Sequence, residues 1–171
     1  TFTVTVDPVN DAPVLASILD VSFDEDGSGT TTLSAGDVDG DQLTFSITEG
    51  VDIVAIVDGS DVAFSAPLNF NGSESFTVSV TDGEYIDSQI ITVTITPIND
   101  APVATTGLSA ITNEDQGIVI SLSGSDIDGD NLSFSLSIDA TNGSVTLDGS
   151  FATYTPTQDY NGSDSFIFSI S

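Results

Sequence analysis

The chain has 171 residues, 39% of them hydrophobic, and carries 27 Asp plus Glu against no Lys, Arg or His, a formal charge of -27. Without basic side chains it lacks the groups that grip nucleic-acid phosphates or anionic lipid surfaces, so neither nucleic acid nor direct membrane insertion is expected. Without His, Cys or Lys it also lacks the common general base, the thiol and amine nucleophiles and the soft-metal ligands, which argues against an enzyme and against zinc, copper or haem.

No internal salt bridge can offset this charge, so screening salt or site-bound cations must do so. The charge nevertheless sits on a folded scaffold. Val, Ile, Thr and Phe recur in alternating runs such as FTVTV and SFTVSV, which disordered acidic tails do not have.

In chain order, Thr1, Phe2, Thr3, Val4, Thr5 and Val6 read as a short strand. The turn-rich linker PVNDAPV at residues 8 to 14 follows. Alternation and turn residues then place seven strands, A to G, at roughly residues 14–23, 29–35, 42–49, 51–57, 61–66, 73–81 and 87–96. Alternate positions face one side of a sheet, which makes Phe45, Ile47, Phe64, Phe76, Val78 and Val80 the expected core, with Phe134, Phe166 and Phe168 further on.

The chain then repeats itself. PVNDAPV returns as PINDAPV at 97 to 103, and GDVDGDQLTFS at 36 to 46 returns as SDIDGDNLSFS at 125 to 135, both offset by 89. NFNGSESFTVS from Asn69 returns as DYNGSDSFIFS from Asp159, offset by 90. A repeat of about ninety residues built from short strands is the pattern of an all-β sandwich. The expected architecture is tandem seven-stranded Greek-key sandwiches set end to end. Residues 1–10 would be the last strand of a preceding repeat plus linker, 11–99 the first repeat, and 100–171 a second repeat lacking its last strand.

TFTVTV at 1–6 resembles ITVTIT at 91–96, the last strand of the first repeat. Two readings stay open. Either the chain is a slice of a longer array, or Thr1, Phe2, Thr3, Val4, Thr5 and Val6 complete the sheet of a neighbouring molecule by strand exchange, building a head-to-tail filament.

In a sandwich whose strands alternate in direction, loops BC, DE and FG share one end with the incoming linker, and loops AB, CD and EF share the other. At the first joint this gathers Asp7, Asn10 and Asp11 of the linker with Asp37, Asp39 and Asp41 of loop BC and with Asp82 and Glu84 of loop FG. At the second joint it gathers Glu25, Asp26 and Asn69 with Asn99 and Asp100, and with Asp126, Asp128 and Asp130 of the next repeat. Carboxylates from three segments would offer the six to eight oxygen ligands that calcium prefers. The run Asp-x-Asp-Gly-Asp is not a helix-flanked calcium loop: Gly40 stands at its fourth place, Thr48 and Ser137 at the twelfth, and strands flank it.

Taken together, NDAPV at both linkers, EDG and EDQG after strand A, DVDGD and DIDGD between strands B and C, and NFNGSESF and DYNGSDSF resemble the cadherin-like repeats of large bacterial surface and secreted proteins. The resemblance spans nearly the whole chain. It implies calcium between successive domains, held by Glu25 or Asp26, Asn99, Asp100, Asp126 and Asp128, with Glu114 and Asp115 serving a further joint. The acidic Asp-x-Glu element and the longer linker of animal cadherins are not evident, which leaves open the number of ions at each joint.

The expected function is an extracellular, cell-surface or secreted, structural or adhesive module, a calcium-stiffened spacer or filament subunit. Its partners would be neighbouring repeats, identical subunits or a cell-surface ligand. The alternative is a carbohydrate-binding module attached to a secreted polysaccharide-degrading protein. Against it stand the absence of Trp and the small number of Tyr residues, Tyr85, Tyr154 and Tyr160. Asn-Gly at Asn71, Asn142 and Asn161 reads as tight-turn chemistry, since both residues tolerate positive φ.

Overall fold

The computed structural model describes all residues, 1–171, and divides them into two compact units, Thr1–Ile98 and Asn99–Ser171. Both are all-β. In the first unit the strands are β1 (Val14–Leu15), β2 (Val21–Asp24), β3 (Gly29–Thr32), β4 (Ala35–Gly36), β5 (Thr44–Ile47), β6 (Val54–Asp58), β7 (Asp61–Ser65), β8 (Gly72–Thr81) and β9 (Ile86–Thr96). They form a four-stranded sheet in the order β2-β9-β8-β5, a three-stranded sheet in the order β3-β7-β6, and a short β1-β4 pair.

The segment expected as a single strand A over residues 14–23 is two strands serving different sheets. Its first part, β1, pairs antiparallel with β4, and its second, β2, pairs parallel with β9. Between them the chain is tied to β9 by side chains. The Gln89 amide accepts from the Ile18 N–H at 3.1 Å and donates to the Ile18 carbonyl at 2.6 Å, and Asp20 accepts from the Thr92 N–H at 2.7 Å. These bonds satisfy main-chain groups that leave one ladder before joining the next. Strand B likewise divides into β3 and β4.

The first core is built by alternation along β7, β8 and β9. Phe64, Phe76, Val78, Val80, Ile91 and Val93 are essentially inaccessible to solvent, and Phe45 and Ile47 pack against them half-buried. Phe64 and Phe76 meet edge to face, ring centres 5.6 Å apart, the arrangement aromatic quadrupoles favour.

The second unit repeats the plan with β10 (Val103–Ala104), β11 (Ile118–Ser121), β12 (Gly124–Ser125), β13 (Phe134–Ile138), β14 (Gly143–Asp148), β15 (Phe151–Pro156) and β16 (Ile167–Ile170). The orders are β11-β15-β14, β13-β16 and β10-β12. Its fully buried apolar residues are Leu122, Val145 and Ala152. The expected core residues Phe134, Phe166 and Phe168 pack around them only half-buried, and Phe166 and Phe168 also line an open groove. Residues 1–6 form no strand, and their side chains lie exposed.

Candidate metal centre

The loop joining β4 to β5 carries Asp37, Asp39 and Asp41 and is folded by the first of them. Asp37 Oδ1 accepts the N–H groups of Asp39 at 2.9 Å, Gly40 at 2.9 Å and Asp41 at 3.3 Å. A short acidic side chain bonding its own main chain two to four residues on is the reason Asp initiates such turns. Gly40 takes φ +81°, a left-handed conformation that disfavours a side chain and explains the Gly in Asp-x-Asp-Gly-Asp.

This winding brings one carboxylate oxygen each from Asp37, Asp39 and Asp41 within 4.8 Å of one another. Asp37 Oδ2 is buried and has no hydrogen-bond partner. Three carboxylates gathered in a chain without Lys, Arg or His repel one another, and a buried oxygen without a donor is costly. A hard divalent cation relieves both defects, and an all-oxygen donor set suits calcium. The residues present fit the ion.

Two further segments of the first unit reach this end. The Asp11 N–H donates to Asp39 Oδ2 at 2.8 Å, and the Asn10 amide donates to Asp82 Oδ2 at 3.1 Å and to Glu84 at 3.5 Å. Asp82 Oδ1 also accepts the N–H groups of Tyr85 at 2.6 Å and Glu84 at 2.7 Å. The Tyr85 N–H, above all, holds the Asp82 carboxyl below the usual carboxylate range; burial opposes this, and the Glu84 N–H and the Asn10 amide reinforce it. The linker, the β4–β5 loop and the β8–β9 loop thus meet, while Asp7 is exposed and makes no bond to them.

At the opposite end of the first unit, Asp26 accepts the Asn69 N–H at 2.8 Å, with both residues in left-handed conformations (φ +62° and +57°). Glu25 is buried at 7% exposure and accepts the Ile98 N–H at 2.6 Å and the Asn71 amide at 3.4 Å. Glu25 therefore fixes the exit of β9, and Asp26 clasps the loop before β8.

The second unit reproduces four of these bonds at the repeat offset of 89 or 90. Asp126 Oδ1 accepts the N–H groups of Asp128 at 2.9 Å and Asp130 at 3.3 Å, and Asp128 Oδ2 accepts the Asp100 N–H at 2.7 Å. Asn99 differs from Asn10: its amide donates to the Asp100 carbonyl at 2.9 Å. Asp115 accepts the Asp159 N–H at 2.9 Å, as Asp26 does that of Asn69.

The model of the bacterial Ig domain matches twice, over residues 10–96 and 99–171. The chain belongs to the bacterial Ig domain family. Among solved structures, these bacterial Ig repeats are similar to human protocadherin-24 EC1-2 in a second crystal form, at 17% identity and a TM-score of 0.62 over 95% of each chain. The first form gives 17% identity and 0.54 over 95% of this chain and 94% of that one. A PcdhgB3 EC1-4 structure gives 14% identity and 0.53, covering 95% of this chain and 50% of that one. At such identities the likeness shows a shared, cadherin-like fold. No curated protein matches the chain in sequence.

One carboxylate in each bacterial Ig repeat escaped the sequence reading. Glu74, on β8, accepts the N–H groups of Val51 at 2.8 Å, Asp52 at 2.8 Å and Ile53 at 3.2 Å. Its counterpart Asp164 accepts those of Thr141 at 3.1 Å and Asn142 at 2.8 Å, together with the Tyr154 hydroxyl at 3.1 Å. Burial raises the Glu74 carboxyl, but the three N–H groups outweigh it and hold the pKa below the ordinary value. The Asp164 carboxyl is lowered in the same way against the same opposing burial, with the Ser165 N–H adding to the donors. The signal was the shared acid in NGSESF and NGSDSF.

Proposed function

We propose that the chain is an extracellular structural or adhesive repeat module in which calcium stiffens the linker end of each bacterial Ig unit. The observation that carries this reading is the carboxylate cluster of Asp37, Asp39 and Asp41, with a buried, unpartnered oxygen on Asp37 and the linker bonded to Asp39. The recurrence of the linker-to-loop bond in the second unit supports a role belonging to the repeat. In the first unit Asp37, Asp39 and Asp41 would hold the ion, with Asn10, Asp11 and Asp82 around them. In the second, Asp126, Asp128 and Asp130 would do so, with Asn99 and Asp100. Calcium supplies charge neutralisation and fixed oxygen coordination, so its effect is on stiffness.

Thermal unfolding with calcium, with a chelator, and with potassium chloride at matched ionic strength tests this. A saturable rise in melting temperature specific to calcium is expected. Equal stabilisation by potassium would reduce the effect to diffuse screening and remove the ion assignment.

A further inference from the structure

Strand β6 has a ladder partner on one side only. Its sheet runs β3-β7-β6, which leaves the main chain of Val54–Asp58 open along the outer edge. The inward residues Ala55 and Val57 pack on the core of the first unit. The outward residues are apolar as well, Val54 at 53% exposure and Ile56 at 61%. Sheet edges are commonly blunted by a charge, a proline or a bulge within the strand, and β6 has none of these before Asp58: its register with β7 runs unbroken from Val54 to Asp58.

The apolar outer face is not a requirement of the fold. The second unit has the same edge in β14, the outer strand of the order β11-β15-β14, aligned with β6 by Asp-Gly-Ser at 58–60 and 148–150. The inward places are apolar in both, with Val145 and Leu147 standing for Ala55 and Val57, whereas the outward places of Val54 and Ile56 hold Ser144 and Thr146. Packing explains the inner face alone.

Acids frame the apolar pair. Asp58 follows Ile56 on the outward face, directly opposite Asp61 in the hairpin, and both are exposed. Like charges in such a cross-strand pair repel, and the Thr32 hydroxyl that donates to Asp61 at 2.8 Å brings no counter-charge. At the other end Asp52 is exposed, and its N–H is held by Glu74 at 2.8 Å, which fixes the main chain just ahead of the strand. In the second unit Phe151 takes the place of Asp61, opposite Asp148, so the acidic pair and the apolar face occur together in the first unit only. A second copy is a poor occupant for this edge. Two β6 strands paired antiparallel about Ala55 would set Asp52 against Asp58, and the chain has no Lys, Arg or His to separate them.

We propose that the edge of β6 takes up an extended segment of a partner protein as a fourth strand of its sheet, and that alternate residues of this segment read basic, apolar, apolar, basic. Main-chain ladder bonds supply the attachment and the alternate side chains select the partner. The two apolar residues cover Val54 and Ile56, while the basic ones meet Asp52 at one end and the pair of Asp58 and Asp61 at the other. The inference goes beyond the ion-stiffened module and does not depend on it, since Asp37, Asp39 and Asp41 take no part.

The test is titration of the full chain with a fluorescent synthetic peptide, KTVTVTK, at about 0.15 M salt, where the screening length is about 8 Å. It is run in calcium and in chelator with the same result expected, so that failure of the ion sites and failure of this edge are told apart. One control, VVKTKTT, has the same composition without the alternation; the other, KTVPVTK, carries a Pro that cannot extend a ladder. Saturable one-to-one binding is expected, about tenfold tighter for KTVTVTK than for either control. Val54→Thr with Ile56→Thr, which alters outward positions only, should erase that preference at an unchanged melting temperature. Asp58→Asn should weaken binding and flatten its dependence on salt. Equal affinity for the three peptides would reduce the binding to diffuse attraction by an acidic chain and overturn the proposal. So would no binding, or a preference that survives the double Thr substitution. A dimer of the chain alone that the same substitution dissociates would assign the edge to a second copy, and would overturn it as well.

Discussion

The main-chain N–H of Asp11 donates to Oδ2 of Asp39 at 2.8 Å, and 89 residues later Asp100 and Asp128 make the same bond at 2.7 Å. The bond joins the linker to the acidic loop of each unit without using the linker's own carboxylate. It orients the loop carboxylate while leaving its charge unneutralised.

Asp39→Asn and Asp39→Ala should therefore separate two roles. The amide keeps an acceptor for the Asp11 N–H and removes a repelling charge, so in chelator its melting temperature should equal or exceed that of the native chain, while the calcium-induced rise shrinks. Asp39→Ala loses both, and should melt lower than Asp39→Asn in chelator. Scanning calorimetry with and without calcium reads both effects.

Glu74 predicts a pH dependence. Its folded pKa is lowered, so the stability it contributes is fully present above the unfolded value, about 4.3, and is lost as pH falls through the lower folded value. Glu74→Gln should lower stability at neutral pH by about 1–2 kcal/mol, and the gap between the two proteins should close below about pH 4. Urea midpoints measured across that range check it. Comparing the two proteins isolates Glu74 from the general relief of repulsion as the other carboxylates are protonated.

The two cores should respond differently to truncation. Phe76→Ala removes a fully buried ring that touches Phe64 and should cost about 3–5 kcal/mol. Phe168→Ala removes a half-buried ring beside the open groove and should cost clearly less. Denaturant unfolding followed by hydrogen exchange in each unit distinguishes the two.

Gly50 is a position where space decides. A Cβ there would lie 2.2 Å from the Ile53 carbonyl oxygen and 2.5 Å from a Glu74 oxygen, so Gly50→Ala should cost about 1–3 kcal/mol through displaced main chain. Gly36→Ala meets nothing within 4 Å and should stay within about 0.5 kcal/mol. Melting temperatures of the two variants give the comparison.

Much of the fold was legible in advance where the signal is local. Alternation named Phe64, Phe76, Val78 and Val80 as core because a strand shows its two faces at successive residues. Strand A was misread as continuous because its two halves have the same alternation; which sheet each half joins is set by β4 and β9, and by the Gln89 amide 71 residues away from Ile18. Glu74 was missed for a related reason, since a carboxylate inside a strand gives no hint of a loop 22 residues earlier that needs its oxygens.

By itself the sequence determined the period of the repeat, the all-β class and the acidic turns, because each depends on composition or on residues close together in the chain. Only the tertiary structure decided that Asp37 keeps a buried oxygen without a donor, that Glu25 fixes the exit of β9 at Ile98, and that Glu74 gathers the N–H groups of Val51, Asp52 and Ile53. Those features arise where segments far apart in the chain meet in a particular register, and a register is settled by the packing of whole sheets, which no local pattern of residues encodes.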